Sequence, residues 1–183
     1  MAAAPILRDI FMARKERWGD DDDGYTFEGP DERIDVFVYR ANAGTPMTSL
    51  ATIGMAARTM PGTELRTELH LARRGVIIRD EEHKLAVQLA NLASHPWSTG
   101  SHFDWGHMIS VGGDIPAFAG CGAVFFSGPF TDGGWDYIRT GTGAVRILNV
   151  VPITEEERAR ARTMAPDRFM SELMKEVDIF SGR

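Results

Sequence analysis

The strongest constraint on this chain is a period of two. Arg33 to Tyr39 puts Ile34, Val36 and Val38 on one side of an extended backbone and Asp35, Phe37 and Tyr39 on the other. Successive side chains of a strand point to opposite faces, so the stretch reads as a strand. A turn at Asn42-Ala-Gly-Thr-Pro46 leads into a second strand, Met47 to about Met55, and Pro61-Gly62 marks another turn. Thr63 to Ala72 alternates again, with Leu65, Thr67, Leu69 and Leu71 against Glu64, Arg66, Glu68, His70 and Ala72. This predicts a strand solvated on one face, on which His70 is an ordinary surface histidine. Three strands joined by short turns predict a meander.

Helical spacing appears on either side. Ile6, Ile10, Phe11 and Trp18 recur through Pro5 to Arg17, a helix opened by Pro5 and ended by Gly19 and the acidic run Asp20 to Asp23. That run reads as a solvated loop. An EF-hand placed on Gly24 would start at Gly19 and end at Pro30, neither of which is a ligand. Asp80 to Ala93 carries an apolar stripe of Leu85, Leu89 and Leu92, with Asp80 as cap and Ser94-His95-Pro96 as stop. Gly122 to Ser127 and Ala144 to Pro152 read as strands, and Pro129 to Gly143 as loop. Thr154 opens a helix with capping-box spacing to Glu157, which also accounts for Glu155 to Glu157. Pro166 breaks that helix, and Asp167 to about Val177 forms the last one.

The order is helix, three strands, helix, irregular loop, two strands, two helices. It lacks strict β-α-β alternation. It predicts an α+β fold with a mixed, largely antiparallel sheet flanked by helices. At 183 residues we expect one domain, 1–183, with a core over about 30–178 and an N-terminal helix over 5–18.

Composition removes several functions. A net charge of −6 argues against nucleic acid, whose phosphates need a basic surface. No apolar run approaches the roughly 20 residues of a membrane span, and no signal-peptide pattern opens the chain. Cys121 is the single cysteine, so no internal disulfide forms; it is expected to be a small buried apolar residue. A cytoplasmic location follows as the expectation. Phosphate-loop, dinucleotide and nucleophile-elbow motifs are missing. No cofactor, metal or catalytic residue is therefore assigned.

The unusual stretch is His95 to Val111, read as an irregular loop, which holds three of the five histidines and two of the four tryptophans. His102, Asp104 and His107 are metal-ligand types, and a metal- or histidine-dependent enzyme centred on them is one alternative. A scaffold adding a peptide strand to a sheet edge is another. Phe125, Phe126, Phe130 and Trp135 are expected to serve the core.

Five blocks, in order, resemble the suppressor-of-fused-like domain family. Arg33-Ile-Asp-Val-Phe-Val-Tyr is similar to its first strand, and Thr52-Ile-Gly54-Met55-Ala to its Thr-Ser-Gly-Met-Ser block. Arg66-Thr-Glu68-Leu69-His-Leu resembles its Glu-Leu strand. His95-Pro96 and Trp105-Gly106-His107-Met-Ile resemble its Phe-Pro-His and Gly-His-Thr-Ile region. Asn149 to Glu157 resembles its Val-Pro-Leu-x-Glu-Glu-Glu block. His102 and Asp104 lie outside the family pattern, and proline and histidine are swapped at His95-Pro96. The resemblance implies a non-enzymatic, bacterial stand-alone protein-binding module, of the kind that acts as an immunity protein against a cognate toxin. It implies structural roles for Gly54, Glu68, Gly106, His107 and Pro152. The acidic charge suits a basic partner. Trp97, His102, Asp104, Trp105, Asp132 and Trp135 are the expected contact residues, since exposed tryptophans in polar loops compose binding hot spots. Trp105 and His107 are also expected to brace the fold.

Overall fold

A computed structural model describes residues 4–29, 33–130 and 134–183. The elements are α1 (Pro5–Trp18), β1 (Asp23–Glu28), β2 (Arg33–Tyr39), β3 (Met47–Ile53), β4 (Arg66–Arg74), α2 (Arg79–Thr99) and β5 (Met108–Ser110). They continue with β6 (Ala123–Ser127), β7 (Tyr137–Thr140), β8 (Gly143–Ile153), α3 (Glu155–Ala161) and α4 (Pro166–Glu176). The strands form an eight-stranded sheet in the order β1-β2-β3-β4-β8-β6-β5, with β7 paired to β8. Among the described residues only β4 and β8 run parallel; the other pairings are antiparallel. This is the α+β architecture expected, and β2, β3 and β4 form the meander.

Pleating sorts the side chains onto two faces. Ile34, Val36, Val38, Leu50, Leu69, Leu71, Leu148 and Val150 meet Leu85, Leu89 and Leu92 of α2. The other face is covered from its two ends. Ile6 and Ile10 of α1 pack on Ile53, Val145 and Ile147. Phe169, Met170 and Leu173 of α4 pack on Phe125, Val151 and Ile153. Among the described residues no helix lies on the strip of sheet between α1 and α4, and the cavities described below are lined in part by those two helices.

Several expectations are corrected. β4 is covered on both faces: Glu68 is fully buried and His70 largely so, because α1 packs over what an alternating pattern alone marks as the wet side. α2 runs through Pro96 to Thr99, and Ile78, not Asp80, is its N-cap. Pro96 is buried on the same side as Leu89 and Leu92, so packing outweighs the bond that proline forgoes in a last turn. Gly100 in the left-handed region closes the helix, its N–H donating to the Pro96 carbonyl. Three strands escaped the sequence reading, one of them β5, inside the stretch expected to be an irregular loop. β1 carries Tyr25 and Phe27 against the α2-side core, and β7 forms a hairpin with β8 inside the expected loop. The acidic run is not a free loop. Asp22 Oδ2 accepts from the Arg40 backbone N–H at 2.6 Å, and Asp23 holds Arg40 at 2.9 Å and Arg79 at 2.5 Å. Pro166 does not break α3, which ends at Ala161; it opens α4.

The capping box is present, Thr154 Oγ1 accepting from Glu157 N at 3.1 Å and Glu157 Oε2 from Thr154 N at 2.8 Å. Cys121 is buried, and burial pushes its thiol above the ordinary range. Among the described residues no helix is long and apolar enough to cross a membrane.

Candidate functional site

Glu68 organises a buried polar centre beneath α1. Its Oε1 accepts from the backbone N–H of Gly54 at 2.9 Å and of Ala56 at 3.0 Å, and its Oε2 from Thr52 Oγ1 at 2.6 Å. Arg14, fully buried on α1, donates Nη1 to the Thr52 carbonyl. Burial pushes the Glu68 carboxyl up and the Arg14 guanidinium down, and each charge opposes the other's shift. Gly54 is required here. Its φ is 137°, and a Cβ would stand 2.2 Å from the Arg33 carbonyl oxygen. Two of the implied structural residues thus meet in one buried polar centre. Pro152 sits in β8 beyond the last β4 pair at Asn149, where no β4 partner demands its N–H.

The segment after α2 folds differently from an irregular loop. Phe103 is buried and stacks on Phe126, ring centroids 4.2 Å apart. Gly106 N–H donates to the Phe126 carbonyl at 2.8 Å, and Phe126 N–H to the His107 carbonyl at 2.9 Å. The chain is therefore zipped to β6 before β5 begins. Gly106 has φ 84° and lies so close to Pro166 that a Cβ would meet Cγ at 2.4 Å. Trp105 lies across Gly128, where a Cβ would stand 2.4 Å from its ring. Arg146 covers the ring at 5.5 Å and holds Asp104 at 2.7 Å. That carboxyl lies below its ordinary value: although burial raises it, its bonds from Trp105 N–H and Arg146 together outweigh that.

The metal-ligand trio does not converge. The His102 and His107 rings are 5.6 Å apart, His107 Nδ1 faces the His102 carbonyl at 3.2 Å, and Asp104 turns to Arg146. Among the described residues no group of three or more His, Cys, Asp or Glu side chains is placed to hold a metal ion. His102 and His107 are exposed; the bracing expected of His107 falls to Phe103, which sequence reasoning passed over. Its signal was an apolar residue between two polar ones.

Trp105 is 45% exposed, and Met174 on α4 is 42% exposed. Between them lies a cavity of about 230 Å³ walled by Phe130, Pro166 and Met170. Pro129 and Phe130 also line a second cavity of about 280 Å³, whose lining includes Trp18, Trp135, His70 and Asn149. Trp97 lines neither. It packs on the α2-side core, donates Nε1–H to the Thr59 carbonyl at 3.2 Å and carries Arg58 over its ring. Asp132 lies outside the described residues. Of the expected contacts, Trp105 and Trp135 thus line the two adjoining cavities; Asp104 lines neither but is held by the Arg146 that covers the Trp105 ring, and His102 is exposed nearby in sequence.

The chain is an α+β domain with two adjoining apolar hollows on one sheet face. The comparison with known families gives it a lineage: the model of the suppressor of fused protein (SUFU) matches residues 30–181, and the chain belongs to that family. No curated protein sequence matches it. Among solved structures it is similar to a protein of Neisseria gonorrhoeae FA 1090 described as a SUFU homolog. That match has 18% identity and a TM-score of 0.75 over 96% of this chain and 92% of that one. Sufu from the Sufu-Fu complex matches at 13% identity and TM-score 0.66, covering 91% and 81%. Drosophila Suppressor of Fused matches at 13% and 0.60, covering 91% of this chain and 45% of that one. At these identities the likeness is one of fold.

Proposed function

We propose that this domain is a non-enzymatic protein-binding module, and that it acts as an immunity protein neutralising a cognate toxin. The observation that carries the binding reading is Trp105. A half-exposed tryptophan lies over Gly128, beside an apolar cavity that continues onto exposed Met174. A rigid aromatic beside a concave apolar surface is the composition of a binding hot spot. The charge pair of Asp104 and Arg146 beside the Trp105 ring supplies orientation. A solved relative was captured as a complex of Sufu with Fu, which agrees with partner binding as the work of the fold. The net charge of −6 favours a basic partner by steering its approach.

The test is co-expression with the toxin encoded beside this gene. Wild-type protein restores growth, and Trp105→Ala loses protection while its melting temperature stays within a few degrees of wild type. Equal killing with and without the wild-type protein sinks the immunity reading. Full protection by Trp105→Ala moves the contact surface elsewhere.

A further inference from the structure

The second cavity has a floor whose hydrogen bonding is incomplete. Asn149 Nδ2 donates to the Gly128 carbonyl at 3.0 Å. A carbonyl oxygen only accepts, so this bond fixes the amide and points Oδ1 at His70 Nδ1, 3.0 Å away. Nδ1 therefore carries the ring proton, and Nε2 of the neutral imidazole is an acceptor. Nε2 is buried and has no partner among the described residues. Burial holds His70 down at about 4, so the ring is neutral at physiological pH. An unmet buried acceptor is costly, and its cost is relieved by a donor.

The walls define the rest of the ligand. Trp18 and Trp135, whose rings meet edge-on with centroids 5.3 Å apart, line the cavity together with Phe130 and Phe180. At about 280 Å³ it is large enough for a single aromatic ring with its substituent. The charges of Arg14 and Arg17 act on His70 and disfavour a cationic donor. Trp18 lies against His70, ring centroids 5.1 Å apart, so a ligand reaching Nε2 has to shift Trp18.

We infer that the cavity over His70 and Asn149 is a binding site for a phenol. The ring packs against the edge-paired Trp18 and Trp135, and its hydroxyl donates to His70 Nε2 once Trp18 has moved aside. The site is separate from the Trp105 surface and does not depend on the function proposed for it. Its ligand is either a free phenolic molecule or a tyrosine side chain presented by another protein.

The test is an NMR titration of the full chain with p-cresol, toluene and N-acetyl-tyrosinamide, following histidine ring nitrogens and tryptophan indole N–H signals. p-Cresol should bind saturably and at least about tenfold more tightly than toluene. It should move the His70 Nε2 resonance and the Trp18 indole signal. His70→Leu should bring the two ligands to equal affinity. Should that variant unfold, the wild-type Nε2 response to p-cresol, absent with toluene, decides alone. N-Acetyl-tyrosinamide binding as well as p-cresol assigns the site to a tyrosine side chain; binding of p-cresol alone assigns it to a free phenol. Equal affinity for toluene and p-cresol in the wild type, or an unmoved Nε2 resonance, overturns the inference.

Discussion

Replacing Glu68 by Gln is the sharpest probe of what holds α1 to the sheet. Glutamine has the same shape, and its oxygen keeps the N–H donors of Gly54 and Ala56. What disappears is the negative charge facing Arg14, a guanidinium with no exposed surface. Nε and Nη2 of that guanidinium have no partner among the described residues, so its compensation is largely the carboxylate. Leaving one member of a buried charge pair alone costs about 3–5 kcal/mol. For a chain of this length each kcal/mol lowers the melting temperature by roughly 2–4 °C, so a drop of roughly 6–20 °C is expected. Arg14→Met should cost less, because the carboxylate retains three donors from Thr52, Gly54 and Ala56. The double variant Arg14→Met/Glu68→Gln should then be more stable than the sum of the single changes, by about 1–3 kcal/mol. Urea denaturation of the four proteins, followed by circular dichroism, measures the cycle. If the single effects add to within about 0.5 kcal/mol, the two charges are not coupled and the reasoning fails.

Gly54→Ala should destabilise by at least about 3 kcal/mol, because the new methyl group meets the Arg33 carbonyl and the backbone is strained; a loss below about 1 kcal/mol in urea would contradict this geometry. His70 should make stability fall on acidification. Its folded value is about 4 against an ordinary 6.5. The unfolded chain therefore binds a proton that the folded one refuses, and stability present above pH 6.5 is lost as pH drops toward 4, by up to about 3 kcal/mol. Asn149 of β8 and Arg14, Arg17 and Trp18 of α1 are the groups that set this value or pack on the ring. Denaturation of wild type and His70→Gln at pH 7 and pH 5 should show the gap between them narrowing at the lower pH; an unchanged gap refutes it.

Local pattern alone determined much of this protein. The period of two placed β2 to the residue, the capping box placed α3, and the block order from Arg33 to Glu157 carried the family. These signals are readable because each depends on neighbours a few positions apart. What failed depended on contacts made at long range. Glu68 and His70 fall on the polar side of an alternating strand, and only the docking of α1 shows that this side is covered. Pro96 should stop a helix, yet it continues because Pro96 faces the core that Leu89 and Leu92 already occupy. His102, Asp104 and His107 look like ligands in one dimension and diverge in three, since Arg146, 42 residues further along, takes Asp104. The cavity over His70 has no sequence signature at all. It exists because α1 and α4 cover the two ends of one sheet face, while the strip between them carries side chains such as Trp135, Phe130 and Phe180 instead of a described helix.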